Sequence, residues 1–412
     1  MKKFRILLGI TALFICIMGF STMAYALEKP GKVENVKQVD ASSSSVKIQW
    51  DAQVTQNCYY TVELSTDGVN FSSQTDYRLS SAYYTVTGLS AGKTYYVRII
   101  AYAYSYSDGT LQADAYSDVL KVVTVPTTNS GTITQTAATT NSITLTWTGV
   151  SGATKYYVYA YKSGVYTKLA AATTNKAVIK NVDKSLEYDY KIFPVRSDGS
   201  FEAMSDYATY SLYSWNVRLV PTKITGLNVS YYYSALKAID LNWNAQSNGD
   251  GYQIQVYNYN GKKPIKTYTV TSKYSSSQYL KNIVNNKFYK VRIRGYAVVN
   301  GSKKYGAWSA YKYVAQQTDI YKINRVGSQK KVSLKWDTVK GATNYTIYMS
   351  TKQKSGYKKV TTTKKTSLAV SKFNKKALKL NKKYYFYVVA NKKVGKTTYK
   401  SGATYCNYII LK

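Results

Sequence analysis

Four segments of this chain alternate apolar and polar residues and end on tryptophan. Val46, Ile48 and Trp50 fall on one side of the first, with Lys47 and Gln49 on the other. Ile143, Leu145 and Trp147 repeat the pattern, as do Ile239, Leu241 and Trp243, then Val332, Leu334 and Trp336. Successive side chains of a strand point to opposite faces, so this alternation predicts half-buried antiparallel strands. A Tyr-rich strand follows each: Tyr60-Thr61-Val62, Tyr156-Tyr157-Val158-Tyr159, Tyr252-Gln253-Ile254 and Tyr345-Thr346-Ile347-Tyr348. Turn glycines Gly152, Gly251 and Gly341 precede three of these. A further alternating strand opens at Tyr95, Tyr188, Tyr289 and Tyr384, each six residues after an apolar Leu89, Val182, Ile283 or Leu378.

The tryptophans lie 97, 96 and 93 residues apart and the tyrosines 93, 101 and 95. Two markers with one period predict four similar units. No long segment carries a helical period. About seven short strands per unit predict an all-β fold of tandem β-sandwiches, with Trp between the sheets and Tyr pinning a corner. Pro126, Pro221 and Ala315-Gln316-Gln317-Thr318 mark the boundaries. The predicted units are residues 27–126, 127–221, 222–317 and 318–412. Short linkers predict a semi-rigid, elongated array, roughly 140 Å long at about 3.3 Å per strand residue.

Here the chain resembles a known family. Leu89-Ser90-Ala91-Gly92-Lys93-Thr94-Tyr95-Tyr96-Val97-Arg98-Ile99-Ile100-Ala101 is similar to the fibronectin type III signature around its F strand. Trp50 and its three counterparts match that family's B-strand tryptophan. Val339 to Tyr348, and Val150 to Tyr159, resemble the start of the C strand in bacterial type III repeats. Phe193-Pro194 in the second unit departs from the pattern, and the third lacks the Gly-Ala-Thr turn. The resemblance implies four fibronectin type III modules and a role in adhesion, spacing or ligand presentation.

Residues 1–26 stand apart. Lys2, Lys3 and Arg5 precede an apolar run from Ile6 to Phe20, and Ala24-Tyr25-Ala26 offers a cleavage site. This predicts a signal peptide, with no later apolar stretch long enough to span a membrane. The mature protein is expected to be secreted, as from a Gram-positive bacterium, or held non-covalently at the cell surface. Cys58 and Cys406 would remain, in the first and last units, too far apart for an expected disulfide.

The chain contains no histidine, which removes His-based triads and His-ligated metals. No catalytic, metal or cofactor site is expected. Asp51, Glu63, Asp67 and Asp76 could in arithmetic supply a carboxylate pair, but strand edges and turns use such residues for local backbone bonding.

The units differ most in charge. Lys+Arg against Asp+Glu runs 8 to 10, 9 to 6, 14 to 2 and 23 to 2, so net charge climbs from −2 through +3 and +12 to +21. Solubility accounts for some exposed lysine, but a self-repelling +21 suits a polyanion partner better. The candidates are an anionic cell-wall polymer or an acidic polysaccharide. Lys358-Lys359, Lys364-Lys365, Lys375-Lys376, Lys382-Lys383 and Lys392-Lys393 are the candidate contacts, expected as a patch at one end of the array. Lysine outnumbers arginine 47 to seven after residue 26, which favours diffuse, salt-sensitive attraction over recognition of a specific nucleic acid. Tyr59-Tyr60, Tyr83-Tyr84, Tyr156-Tyr157, Tyr231-Tyr232-Tyr233 and Tyr384-Tyr385 are expected to turn about half their rings outward. That leaves two alternatives: a surface that binds a neutral glycan or another surface protein, and an inert spacer.

Overall fold

The computed structural model describes residues 29–412 except 55–56, 77, 105–108, 129–130, 184–187, 199, 234–235, 285 and 404–406. The expected signal peptide and Cys406 lie outside the described residues, as do the side chains of Tyr231 and Tyr233.

Each repeat pairs a three-stranded sheet with a five-stranded one, all antiparallel within the sandwich. In the first, Val46–Gln49 lies between Lys37–Ala41 and Tyr83–Val86. The opposing sheet is built on Cys58–Ser65 and Thr94–Tyr104, with Leu111–Tyr116 and Leu120–Val123 both on the latter strand. The other three sandwiches repeat that 3+5 plan, and the fourth adds a small hairpin, Lys372–Phe373 with Lys376–Ala377. The described helix content is one 3-10 turn, Ser214–Asn216.

The alternation is realised as expected. Val46 and Ile48 have no exposed surface and Trp50 almost none, while Lys47 and Gln49 face water. Four separate cores form, each holding one of Trp50, Trp147, Trp243 and Trp336. Each indole Nε1 is buried without a partner, which costs about 1–3 kcal/mol. Burying the ring returns about 4–6 kcal/mol at 150–250 Å² and 25 cal/mol/Å², so burial wins. Pro194 is accommodated without breaking its strand, Asp189–Ser197. It falls between the stretch paired with Tyr210–Tyr213 and the stretch paired with Glu202–Met204, where a missing N–H disturbs neither ladder.

The chain folds into two compact units. Among the described residues, one holds those from 29 to Thr127 with Val195–Ser205; the other holds Thr128–Pro194 with Asp206–Lys412. Within the second unit the third and fourth sandwiches are joined closely. Phe288 N donates to Lys340 O at 2.9 Å, Lys340 N to Asn286 O at 2.8 Å, and the Tyr399 hydroxyl to Tyr311 O at 3.3 Å.

Candidate functional site

The cationic residues are placed by the strands that carry them. In the fourth sandwich the longest strand is Lys382–Val394. Lys382 and Lys383 start it and pair with Leu411 and Ile410. Lys392 and Lys393 end it and pair with Tyr399 and Thr398. Ten residue steps at about 3.3 Å put these two pairs roughly 33 Å apart. Lys375 and Lys376 lie at the turn of the small hairpin, before Leu378 and the start of the long strand. Lys364 and Lys365 follow Thr363, whose partner Tyr345 pairs with Ala390, level with the other end. Lys358 and Lys359 sit between, on the edge strand Lys358–Thr363.

The single patch expected from the sequence is therefore two clusters at opposite poles, with one pair on an edge strand between them. Adjacent lysine pairs mark turns, and antiparallel strands send successive turns to opposite ends. Eight of the ten residues are exposed. The two half-buried ones lie over aromatic rings: Lys383 is 3.8 Å from the centroid of Tyr408, and Lys392 is 4.8 Å from that of Tyr259.

Among the described residues of 318–412, no lysine or arginine forms an ion pair with an aspartate or glutamate, while Arg325 donates to the backbone oxygens of Ser328, Gln329 and Lys412. The earlier sandwiches do contain such pairs, as in Arg98–Glu63 at 2.6 Å and Arg218–Asp250 at 3.0 Å. The lysine charge of the fourth sandwich is thus left without an acidic side-chain partner.

The third sandwich holds a cationic arrangement of another kind. Lys290, Arg292 and Arg294 alternate along Phe288–Val299 and so share its outer face. Their cross-strand partners are Tyr257, Gln255 and Gln253. Each arginine forks onto a glutamine oxygen: Arg292 Nε and Nη2 reach Gln255 Oε1 at 3.1 and 2.8 Å, and Arg294 reaches Gln253 Oε1 at 2.9 and 2.7 Å. The Trp308 ring is 4.2 Å from both guanidinium carbons. Tyr305 lies 3.7 Å from Arg294, and Tyr311 lies 4.6 Å from the Lys290 ammonium. Burial lowers the Arg294 pKa from its ordinary value, and Arg292 beside it adds to that. The lysine-to-arginine count obscured this ladder. Its signal was the spacing of the three cations by two residues along one strand.

Three of the four marker tyrosines take corner positions. Tyr95 Oη accepts Ser90 N at 2.8 Å, and Tyr384 Oη accepts Lys379 N at 2.9 Å. Tyr289 takes the backbone N–H of Val284. Tyr188 is only half-buried, with its hydroxyl 3.1 Å from that of Tyr190. A second repeated corner was not foreseen. One tyrosine near the start of each C strand, Tyr60, Tyr156, Tyr252 or Tyr345, packs on the core tryptophan, with centroids 5.2–5.8 Å apart. Its hydroxyl accepts a backbone N–H from the preceding turn. Gln53 to Tyr60 measures 2.7 Å, and Val150 to Tyr156, Gln246 to Tyr252 and Val339 to Tyr345 each measure 2.8 Å.

Tyrosine runs expose less ring than expected. Tyr83 is exposed, but Tyr156, Tyr157, Tyr384 and Tyr385 are all buried. Lysine ammonium groups lie over the outer rings: Lys168 Nζ is 3.3 Å from the Tyr157 centroid and Lys383 Nζ 5.3 Å from that of Tyr385. A cation over an aromatic face is attracted by the ring quadrupole.

The four candidate carboxylates of the first sandwich each have a local partner. Glu63 pairs with Arg98, Asp51 accepts from Asn35 Nδ2 at 2.6 Å, and Asp76 accepts from Arg78 N at 2.9 Å. Asp67 closes the Ser65–Asn70 loop, accepting from Val69 N and Asn70 N at 2.8 Å each and from the Ser65 hydroxyl at 2.7 Å. Those N–H donors hold its carboxyl well below the usual carboxylate range. Cys58 forms no disulfide, and burial pushes its thiol up. Among the described residues, no helix is long and apolar enough to cross a membrane.

The fibronectin type III domain family matches residues 31–111, most of the first sandwich. Among solved structures, the chain is similar to the FN1–FN3 domains of chicken CNTN1, at 19% identity over 69% of this chain and 98% of that one, with a TM-score of 0.28. It is also similar to a two-domain fibronectin type III segment of chicken tenascin, at 16% identity over 45% of this chain and 97% of that one, with a TM-score of 0.23. The comparison with curated proteins returned no match.

Proposed function

We propose that this chain is an exported, non-enzymatic array of four fibronectin type III modules whose last two attach to a polyanion. The attachment surface is the pair of lysine poles on the fourth sandwich, continued by the cationic ladder of the third. The partner is an anionic cell-envelope polymer or an acidic polysaccharide. The first two sandwiches, nearly neutral, serve as spacer or adhesive surface.

The observation that carries this reading is the unpaired charge of the fourth sandwich. It has 23 basic and two acidic residues, and no ion pair to an aspartate or glutamate among its described residues. Self-repulsion of that density destabilises a compact domain, and a polyanion relieves it by replacing counterions. Edge protection accounts for Lys358 and Lys359, which lie on an edge strand. It does not account for lysines at both poles.

The test is binding of the full chain to poly(glycerol phosphate) and to polygalacturonate, with dextran as the uncharged control. Replacing Lys364, Lys365, Lys375, Lys376, Lys382, Lys383, Lys392 and Lys393 with glutamine is expected to abolish retention on both polyanions. Equal retention of the variant, or equal binding to dextran, would contradict the reading.

A further inference from the structure

We propose that a cleft between the second and third sandwiches is a binding site for a neutral saccharide, which stacks on Trp215. The chain has six tryptophans, and four of them fill the repeated cores. Trp215 does the opposite: it is 61% exposed. It sits in the 3-10 turn Ser214–Asn216, which has no counterpart among the described residues of the other repeats.

The ring is displayed on a fixed support. Tyr213 lies parallel to it, with planes 2° apart and centroids at 4.5 Å. Ser214 N donates to Tyr188 O at 3.0 Å, and Tyr188 N donates to Ser214 Oγ at 3.2 Å. Arg218 then ties the turn to the third sandwich. Its Nη1 donates to Trp215 O at 2.7 Å and its Nε to Asp250 Oδ1 at 3.0 Å. The other Asp250 oxygen accepts Val298 N at 2.7 Å. Pro221, at the boundary, is seated against Gly295, where an added Cβ would lie 2.6 Å from the proline Cβ. A wall held this way loses little entropy when a ligand binds.

Trp215 borders two hollows. The larger, about 790 Å³, is lined also by Asn181, Asp183, Ser247, Asn248 and Lys273. The smaller, about 480 Å³, lies beside Tyr213, Tyr161 and Ser163. Both volumes are in the range of small-ligand sites. A pyranose has an apolar C–H face and a rim of hydroxyls. The indole matches the face, and the amides and hydroxyls of the larger hollow match the rim. Of the charged residues lining the larger hollow, Asp183 and Lys273 are opposite in sign, and Arg218 is paired with Asp250. That balance favours a neutral ligand over the polyanion assigned to the lysine poles, so the two sites respond differently to salt.

The test is calorimetric titration of the full chain with tetrasaccharides of glucose, mannose, galactose and N-acetylglucosamine, at about 50 and about 500 mM salt. At least one is expected to bind, equally at both salt concentrations. Trp215→Ala is expected to weaken that binding by roughly tenfold or more, and Trp215→Phe by less, because a smaller ring still stacks. Trp308→Ala and the lysine-to-glutamine variant above are expected to leave it unchanged. Absence of binding by all four sugars overturns the proposal. So does a Trp215→Ala protein that binds as the native one does, or binding that high salt abolishes.

Discussion

Tyr345 shows how one side chain serves two elements. Its ring lies on Trp336 inside the fourth core, and its hydroxyl takes the buried Val339 N–H at 2.8 Å. Tyr345→Phe keeps the ring and strands the amide, so it should cost about 1–2 kcal/mol. Hydrogen exchange at Val339 is expected to accelerate accordingly; unchanged protection would show that the bond contributes nothing. Asp67 makes a pH prediction. Its folded pKa is depressed by the N–H groups of Asn70 and Val69, the larger causes, and by the Ser65 hydroxyl. A depressed carboxylate stabilises above its unfolded value, about 3.9, and that contribution is lost as pH falls through the folded one. The amides of Val69 and Asn70 should therefore open progressively below about pH 4. Asp67→Asn should remove that pH dependence, and a variant with the native profile would refute the assignment. The tryptophans were legible because their period is shared with a second marker. The C-strand corner was not, because nothing in a Tyr-rich strand marks which hydroxyl meets a turn amide.

Among the elements, alternation specified the strands, and 3+5 pairing followed from it in all four repeats. What alternation could not give was where turns lie along a strand pair. Lys382–Val394 is 13 residues long, so lysine pairs close in sequence sit at its opposite ends. The joints between sandwiches were illegible for a related reason: they depend on close approaches of backbone to rings. Gly341 adopts φ +89°, and a Cβ there would lie 2.7 Å from the Tyr259 ring. Gly341→Ala should cost about 1–3 kcal/mol through backbone strain, beyond the displacement of Tyr259 and of Lys392 above it. Thermal unfolding and proteolysis between the third and fourth sandwiches would show the loss, and an unaltered melt would mean that the joint tolerates it.

Across the whole chain, one fold is used four times while surface charge changes along the repeats. The net charge climbs from −2 to +21, and it does so with the tryptophan cores retained. The gradient was legible by counting. Its organisation was not, because the arginine ladder and the placement of lysine ammonium groups over tyrosine rings exist only once strands are paired. The two off-period tryptophans, Trp215 and Trp308, also mark surface features rather than cores, and only their departure from the repeat hints at it.

Whether the unpaired lysines of the fourth sandwich hold a polyanion is decided by the affinity of the full chain for poly(glycerol phosphate) as salt is varied. If they do, log K falls steeply and linearly with log salt. Replacing Lys364, Lys365, Lys392 and Lys393, or Lys375, Lys376, Lys382 and Lys383, with glutamine should each flatten the slope by about 0.7 per contact removed. Replacing Lys37, Lys47, Lys93 and Lys121 of the first sandwich should leave it unaltered. A slope near zero, or an equal flattening by the first-sandwich variant, would show that the lysine poles are not the attachment surface.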